Sequence, residues 1–435
     1  MLGLLTATLP VNLALAGAAT LRRTPSGAVA RPTTAQRRTV LVTGGKMTKA
    51  LVLARGFHAA GHRVLLAEQA RYRLTAHRTS RAVEAFHVLP TPGSAGYEQA
   101  VLDLVRAEGV DTFVPVSSPA SSLPEAEVGE LLRAEGVVVV HLDAERLRAV
   151  DDKHAFAAAA AAGLPVPDTH RITDPQQVLD LDFDALPGAA YVLKSIAYDP
   201  VRRLDLTPLP RPTRAETEAF LAGLPISEER PWILQELLEG TEWCTHGTVR
   251  DGRLAVHVAC RSSAWQLVYE HEEHPGIRAW VEQWVRDVLG PGATGQVSLD
   301  FIEGPDGVVR AIECNPRTHS AITLLEGHPD LAAAYLGGGP DEREHQPVEP
   351  ELGGAPTYWT HHELWQGLTH PRTLPERLRL LRRGRDAVLT PTDPWPFLAL
   401  HHLHVPSLVL ANLRAGRPWQ KVDLNIGKLV EPGGD

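Results

Sequence analysis

Seven residues, Ala311-Ile312-Glu313-Cys314-Asn315-Pro316-Arg317, constrain this chain more than any other stretch. The run has the length of a strand, and Pro-Arg ends it. Side chains two apart on a strand share a face. Ala311, Glu313 and Asn315 are therefore expected on one face, with Cys314 turned into the core. Upstream, Val297–Ile302 also reads as a strand, with Ser298 and Asp300 on one face. Gly304, Asp306 and Gly307 supply the turn, so the two runs predict a hairpin. Asp300, Glu313 and Asn315 then converge. Two carboxylates and an amide oxygen suit magnesium, or manganese in its place. Magnesium takes oxygen ligands and usually binds one or two carboxylates plus nucleotide phosphates. The plain alternative is a hairpin with ordinary polar face residues.

Upstream residues extend the pattern. The chain has six lysines against thirty-seven arginines, so each lysine retained stands out. Lys153, in Asp151-Asp152-Lys153-His154, opens an Ala-rich helix, and Lys194 ends the apolar run Tyr191-Val192-Leu193. A flexible ammonium suits phosphate as a point charge; either lysine could equally be solvated surface charge. Next comes Trp232-Ile233-Leu234-Gln235-Glu236-Leu237-Leu238-Glu239-Gly240-Thr241-Glu242, a strand, a connector and a second strand. Such a connector can offer backbone groups to an adenine edge and a carboxylate to ribose. Alone, each glutamate reads as a surface residue; the order of all five features across 153–317 gives the pattern its weight.

In that order the chain resembles the ATP-grasp superfamily, with 146–330 covering the nucleotide-binding core. The resemblance implies that Lys153 and Lys194 contact ATP phosphates. It implies that Glu236 offers its carbonyl and Leu238 its N–H to adenine, and that Glu242 holds ribose. Asp300, Glu313 and Asn315 would bind magnesium, and Arg317 would stabilise charge on a phosphorylated intermediate. From about Val40 onward the chain is also similar to the mycosporine-glycine synthetase family, which joins glycine to 4-deoxygadusol. That resemblance rests on Val42–Ala50 (VTGGKMTKA), Leu193–Leu204 (LKSIAYDPVRRL), Cys244-Thr245-His246, Glu313–Ile322 (ECNPRTHSAI) and Asn425–Glu431 (NIGKLVE).

Length and charge set bounds. At 435 residues there is ample core for two to four domains. A net charge of −9 argues against a nucleic-acid binder, which would show a basic stripe. Cys244, Cys260 and Cys314 lack metal-ligand spacing, and a reducing cytoplasm is the simpler setting. Residues 1–21 are apolar and uncharged, with Arg22-Arg23 following rather than preceding them. A secretory signal places its positive charge first; here the following chain would stay on the cytoplasmic side. Membrane association on the cytoplasmic face, a tail folded on the protein, and an overextended start remain open readings.

The expected architecture is α/β, an ATP-grasp fold in four parts. Residues 1–37 are the hydrophobic segment and linker. Residues 38–145 form a doubly wound domain: a strand at Val40–Thr43, a helix from Met47 to about Ala60, and strands at Arg63–Ala67, Thr112–Val116 and Val137–His141. It has neither a dinucleotide fingerprint nor a P-loop. Residues 146–345 form the ATP-grasp domain, with a lid sheet at 191–249 and a catalytic part at 250–330. Residues 346–435 are a C-terminal appendage. Ligands bind beyond the carboxyl ends of doubly wound strands, so Gly44, Gly45, Lys46, Ser117 and Ser118 are candidate substrate contacts, or a plain turn and helix cap. Arg202 and Arg203, in the Ser195–Arg203 loop, are phosphate candidates or solvated loop charge. His319 is a candidate proton handler or a structural hydrogen bonder. His401, His402 and His404 read as core or interfacial residues rather than metal ligands.

The expected activity is an ATP-dependent ligase with ATP and magnesium as cofactors and 4-deoxygadusol and glycine as substrates. A ligase for another amino acid or carboxylate pair, and a membrane-associated ATP-binding regulator, are the alternatives; there is no biotinyl-lysine motif to suggest a biotin-dependent carboxylase. The oligomeric state is not fixed, and a homo-oligomer remains open.

Overall fold

The structure is a computed structural model. It describes residues 1–21, 37–116, 118–151, 156–196, 202, 205–262, 267–337 and 346–431. Short, mostly apolar runs of two to seven residues build the first sheet. It joins β1 (Thr39–Val42), β2 (Arg63–Gln69), β3 (Ala85–Leu89), β4 (Thr112–Val114) and β5 (Val138–Val139). All pairings are parallel, in the order β3-β2-β1-β4-β5. Helices α2 (Thr48–Ala59), α3 (Tyr97–Glu108) and α4 (Pro119–Ala134) provide connections, α1 being Leu2–Leu21. The order reverses between β1 and β4, which opens a crevice at their carboxyl ends. The sequence reading missed β3. That strand lies at the sheet edge with Val88 half exposed, so it lacks a buried strand's continuous apolar signal.

A three-stranded antiparallel sheet follows: β6 (Thr169–Ile172), β8 (Trp232–Glu236) and β7 (Tyr191–Ser195), with β8 central. It therefore begins before residue 191. It also ends before 249, because β9 (Thr241–Arg250) belongs to the next sheet. There β10 (Arg253–Arg261), β9, β12 (Gly295–Glu303) and β13 (Val309–Asn315) pair antiparallel in that order. A small sheet joins β11 (Val268–Tyr269), β14 (Thr357–Tyr358) and β15 (Arg385–Asp386), and so ties the C-terminal region to the centre; a two-stranded sheet of β16 (Lys421–Asp423) and β17 (Lys428–Val430) follows.

Helix α1 lies on the protein, against the C-terminal helical stretch from Trp395. Leu5, Asn12 and Ala16 face inward. Asn12 Nδ2 donates to His402 Nε2 at 2.8 Å and to His361 Nε2 at 3.3 Å. The helix has the length and composition to cross a membrane. His401 and His404 are buried, and the His361 and His401 rings stack at 3.8 Å. Among the described residues no group of three His, Cys, Asp or Glu side chains could hold a metal ion. A chain beginning at Arg37 would strip Asn12 from two ring nitrogens and expose the surface under Leu5. Lost buried contacts of this kind cost about 2 kcal/mol or more. The truncated protein is expected to unfold at a lower temperature yet keep nucleotide binding, because every candidate site residue lies beyond it. Calorimetric unfolding beside MgADP titration checks both halves.

Candidate active site

The β12–β13 hairpin forms the floor of the site. Gly307, at φ 71°, and the Gly304 N–H to Val308 carbonyl bond close the expected turn. Asp300 stands opposite Glu313, and Ser298 opposite Asn315. The register shifts between Asp300 and Phe301, which pairs with Ala311, so Ile312 is an extra residue. This is a β-bulge, which breaks strict alternation and re-aims side chains. Ala311 accordingly packs in the core with Phe301 and Cys314, not on the face of Glu313 and Asn315 as alternation suggested. Cys314 is in the core as expected.

Asn315 Nδ2 lies 3.4 Å from Asp300 Oδ2, and Arg317 Nη2 donates to Asn315 Oδ1 at 2.7 Å. Burial first, then the Glu313 charge, push the Asp300 carboxyl up to about 7, with Glu242 adding to the rise. Arg317 and Lys194 pull it down. Five charged groups from four strands and the Pro-Arg turn therefore share one field. Paired hard oxygen donors with an unfavourable like-charge contact fit a divalent cation such as magnesium.

The three-stranded sheet contributes the opposite wall. Lys194 Nζ donates to Gln235 Oε1 at 2.8 Å. The Glu236 N–H is held by the Asp168 carbonyl at 2.8 Å, and the Glu236 carboxylate accepts from the Asp168 N–H at 3.2 Å. The Leu238 N–H has no hydrogen-bond partner among the described residues. Glu242 is exposed and accepts from Ser262 Oγ at 3.1 Å. Between them Gly240 has φ 157°, and a Cβ there would sit 2.0 Å from the Glu303 carbonyl oxygen. Only glycine lets the connector approach the β12 end so closely. Gly240→Ala is expected to cost about 2–3 kcal/mol, as overpacking does. A thermal scan showing an unchanged Tm would contradict this geometry.

Lys153, Ser117 and Arg203 lie outside the described residues. Arg202 Nη2 donates to the Gly223 carbonyl at 3.3 Å. Gly44 and Lys46 line a pocket at the sheet crevice, and Gly45 bonds the Ala67 carbonyl through its N–H at 3.1 Å. Ser118 is the residue before α4, and its hydroxyl meets that of Ser121 at 3.1 Å. His319 precedes the short helical turn Ser320–Leu325. Its Nδ1 accepts from the Ala321 N–H at 3.2 Å, and burial, with Lys49 and Arg317 nearby, lowers its pKa to about 3. It caps the helical turn that follows, the structural role left open from sequence.

Several residues that steady residues 316–320 went unread as site residues. Lys49 Nζ donates to the Thr318 carbonyl at 2.6 Å, and its pKa falls by burial and the Arg317 charge. Ser122 Oγ donates to the Pro316 carbonyl at 3.1 Å, and Asn425 Nδ2 to Ser320 Oγ at 2.6 Å. Thr318 Oγ1 donates to Gln296 Oε1. The rarity of lysine was the signal available for Lys49. Nothing local marks Ser122 or Gln296.

No family model matches the sequence, and no curated protein matches it. Solved structures do match. An N5-carboxyaminoimidazole synthetase from Staphylococcus aureus, complexed with ADP, has a TM-score of 0.52 at 13% identity, covering 73% of this chain and 81% of that one. A biotin carboxylase from Campylobacter jejuni has a TM-score of 0.52 at 13% identity, covering 71% and 73%. The biotin carboxylase domain of Hydrogenobacter thermophilus 2-oxoglutarate carboxylase aligns over 65% of its own length. At such identities the likeness speaks to fold. The parallel sheet with its crevice, the three-stranded sheet and the antiparallel floor together give this chain the α/β ATP-grasp fold.

Proposed function

We propose that this protein is an ATP-dependent ligase that phosphorylates an oxygen of one substrate and joins an amine there, releasing ADP and phosphate. The observation that carries the reading is the convergence of Asp300, Glu313, Asn315 and Arg317 with Lys194 and Glu242 in one field. Asp300, Glu313 and Asn315 would hold magnesium, which when bound neutralises phosphate charge. ATP would lie between the three-stranded sheet and the hairpin floor. Lys194 would face its phosphates, and the sequence resemblance gives Lys153 the same role. The Leu238 N–H and Glu236 carbonyl suit an adenine edge, and Glu242 suits ribose. Phosphoryl transfer is then mainly positioning and electrostatic stabilisation. Asn315 orients Arg317 for the charge that develops as phosphate leaves.

The finer reading rests on sequence resemblance to mycosporine-glycine synthetases. The acceptor is 4-deoxygadusol, a cyclohexenone enol whose oxygen becomes a leaving group once phosphorylated; glycine adds and phosphate departs. An ATP-dependent reaction of this kind would suit the cytoplasmic side. The exposed Val11, Leu13, Leu15 and Leu21 give α1 an apolar outer face suited to a membrane surface. The test is full-length protein with ATP, magnesium, 4-deoxygadusol and glycine, read by mass spectrometry. Mycosporine-glycine with ADP supports the reading. ADP release with other amino acids or carboxylates alone would keep the ligase and change its product. Nucleotide binding with no turnover on any acceptor would favour a regulator.

A further inference from the structure

Helix α1 and residues 395–414 together build one apolar surface. Residues 2–21 and 395–413 contain no Asp, Glu, Lys or Arg. The polar side of α1 is spent on the protein: beside the Asn12 bonds, Thr8 Oγ1 meets His361 Nε2 at 3.0 Å. Its other side points outward, with Val11, Leu13 and Leu15 between 48% and 60% exposed. Across from it Leu403, Leu410 and Leu413 are half exposed and spaced to share one helix face. Between the two elements lies a groove of about 300 Å³, lined mainly by Leu9, Trp395, Leu398 and Leu403, with Thr79 and His402. Exposed apolar surface of this continuity marks a protein or membrane partner.

The rim is basic, although the chain as a whole carries −9. Arg78 is exposed beside the groove residue Thr79. Arg81 is exposed and donates through Nη1 to the Thr392 carbonyl at 3.3 Å, close in sequence to Trp395. Asp393, the acid of that loop, is buried and spent on Arg55 and Ser80. Arg414 and Arg417 are exposed at the other end of the stretch, and Arg22-Arg23 follow α1 in sequence.

We propose that this joint face docks α1 and residues 395–414 flat on an anionic phospholipid bilayer. The inference rests on the reading above of α1 as a helix suited to a membrane surface, and adds the second half of the surface and the charge of the lipid. Apolar side chains surrounded by arginines answer acyl chains and anionic headgroups at once. An exposed Trp at the edge of such a face suits the interfacial layer. Spanning the bilayer would instead strip Asn12 and Thr8 from their histidine partners and leave the amide in hydrocarbon. A two-fold pair of this face would set one basic rim against another, which disfavours a second copy as the occupant.

The test is co-sedimentation of the full chain with vesicles of phosphatidylcholine, alone or mixed with phosphatidylglycerol. Wild-type protein is expected to bind the mixed vesicles roughly tenfold more tightly or better, and to lose most of that margin in high salt. Alkaline carbonate should release it from them. Leu403→Gln with Leu410→Gln alters exposed positions only, and should weaken binding about tenfold or more with Tm and MgADP affinity unchanged. Val11→Gln with Leu15→Gln should do the same from the α1 side. Arg78→Gln with Arg81→Gln should shrink the preference for phosphatidylglycerol. Equal binding to both vesicle types, resistance to carbonate, or a concentration-dependent dimer without vesicle binding would each overturn the assignment. The two readings fail separately. If the Leu403 and Leu410 pair changes nothing and the Val11 and Leu15 pair abolishes binding, the joint face falls and α1 stands as the sole anchor. If the Val11 and Leu15 pair changes nothing, the reading of α1 falls, and the joint face with it.

Discussion

Asp300→Asn is expected to abolish ligase turnover while making the metal-free protein more stable. The two effects share one cause. Asp300 and Glu313 face each other across β12 and β13, and burial plus the Glu313 charge raise the Asp300 carboxyl from 3.8 to about 7. A raised carboxyl means the folded state disfavours the charged form. Between pH 4 and 7 the folded protein holds a proton that the unfolded chain has lost. Stability from this group therefore falls as pH rises through that window, and the full penalty is present above pH 7. Asparagine removes the penalty. At pH 8 with chelator, Asp300→Asn should melt roughly 2–4 °C above wild type; at pH 4 the difference should vanish. Added magnesium should stabilise the wild type at pH 8 and leave the variant unmoved, since ligand binding to the folded state alone raises stability. ADP release should drop by roughly 100-fold or more in Asp300→Asn and in Glu313→Gln, the scale for losing one electrostatic element of a transition-state site. Near-normal turnover in either variant would remove the pair from the metal site.

What could be read from the chain followed the range of the signal. The hairpin was legible because two alternating apolar runs flank a turn with Gly304, Asp306 and Gly307. The bulge at Ile312 was not, because one extra residue leaves no mark in composition, and it decides that Ala311 faces the core. Strand β6 escaped because Thr169-His170-Arg171-Ile172 is a polar edge strand. The split between β8 and β9 escaped for a different reason. The two are joined by only four residues, so sequence suggests one sheet; Gly240 lets the chain pass close to Glu303 and enter another. The C-terminal region looked like an appendage because its contacts are distant in sequence. In the fold the Asn425 carbonyl accepts from the Thr48 N–H at 2.8 Å while its side chain holds Ser320, so the last residues brace the Pro-Arg turn.

Arg317→Ala is expected to halt the first chemical step rather than substrate binding. Arg317 leaves β13 at Pro316 and is anchored twice to Asn315, through its N–H to the carbonyl and its Nη2 to Oδ1, both at 2.7 Å. The guanidinium is thus fixed beside the oxygen donors before any substrate arrives, and a fixed charge costs no reorganisation during reaction. ATP carrying oxygen-18 only in its β–γ bridge reports the step directly. If an O-phosphorylated acceptor forms reversibly, the label should move into β non-bridging positions when the cyclic acceptor is present and glycine absent. Arg317→Ala should suppress that exchange by roughly 100-fold, about 3 kcal/mol, the worth of one lost electrostatic donor. MgADP affinity should stay within a few-fold of wild type, because Asp300 and Glu313 remain. Arg317→Lys should recover little, since a point charge cannot both hold Asn315 Oδ1 and face the phosphoryl oxygens as a planar fork does. Exchange that requires glycine would instead mean that the amine acts before or with phosphoryl transfer. Unchanged exchange in Arg317→Ala would leave the guanidinium as no more than a brace for Asn315, and the charge would then have to be met by Lys194 and the metal alone.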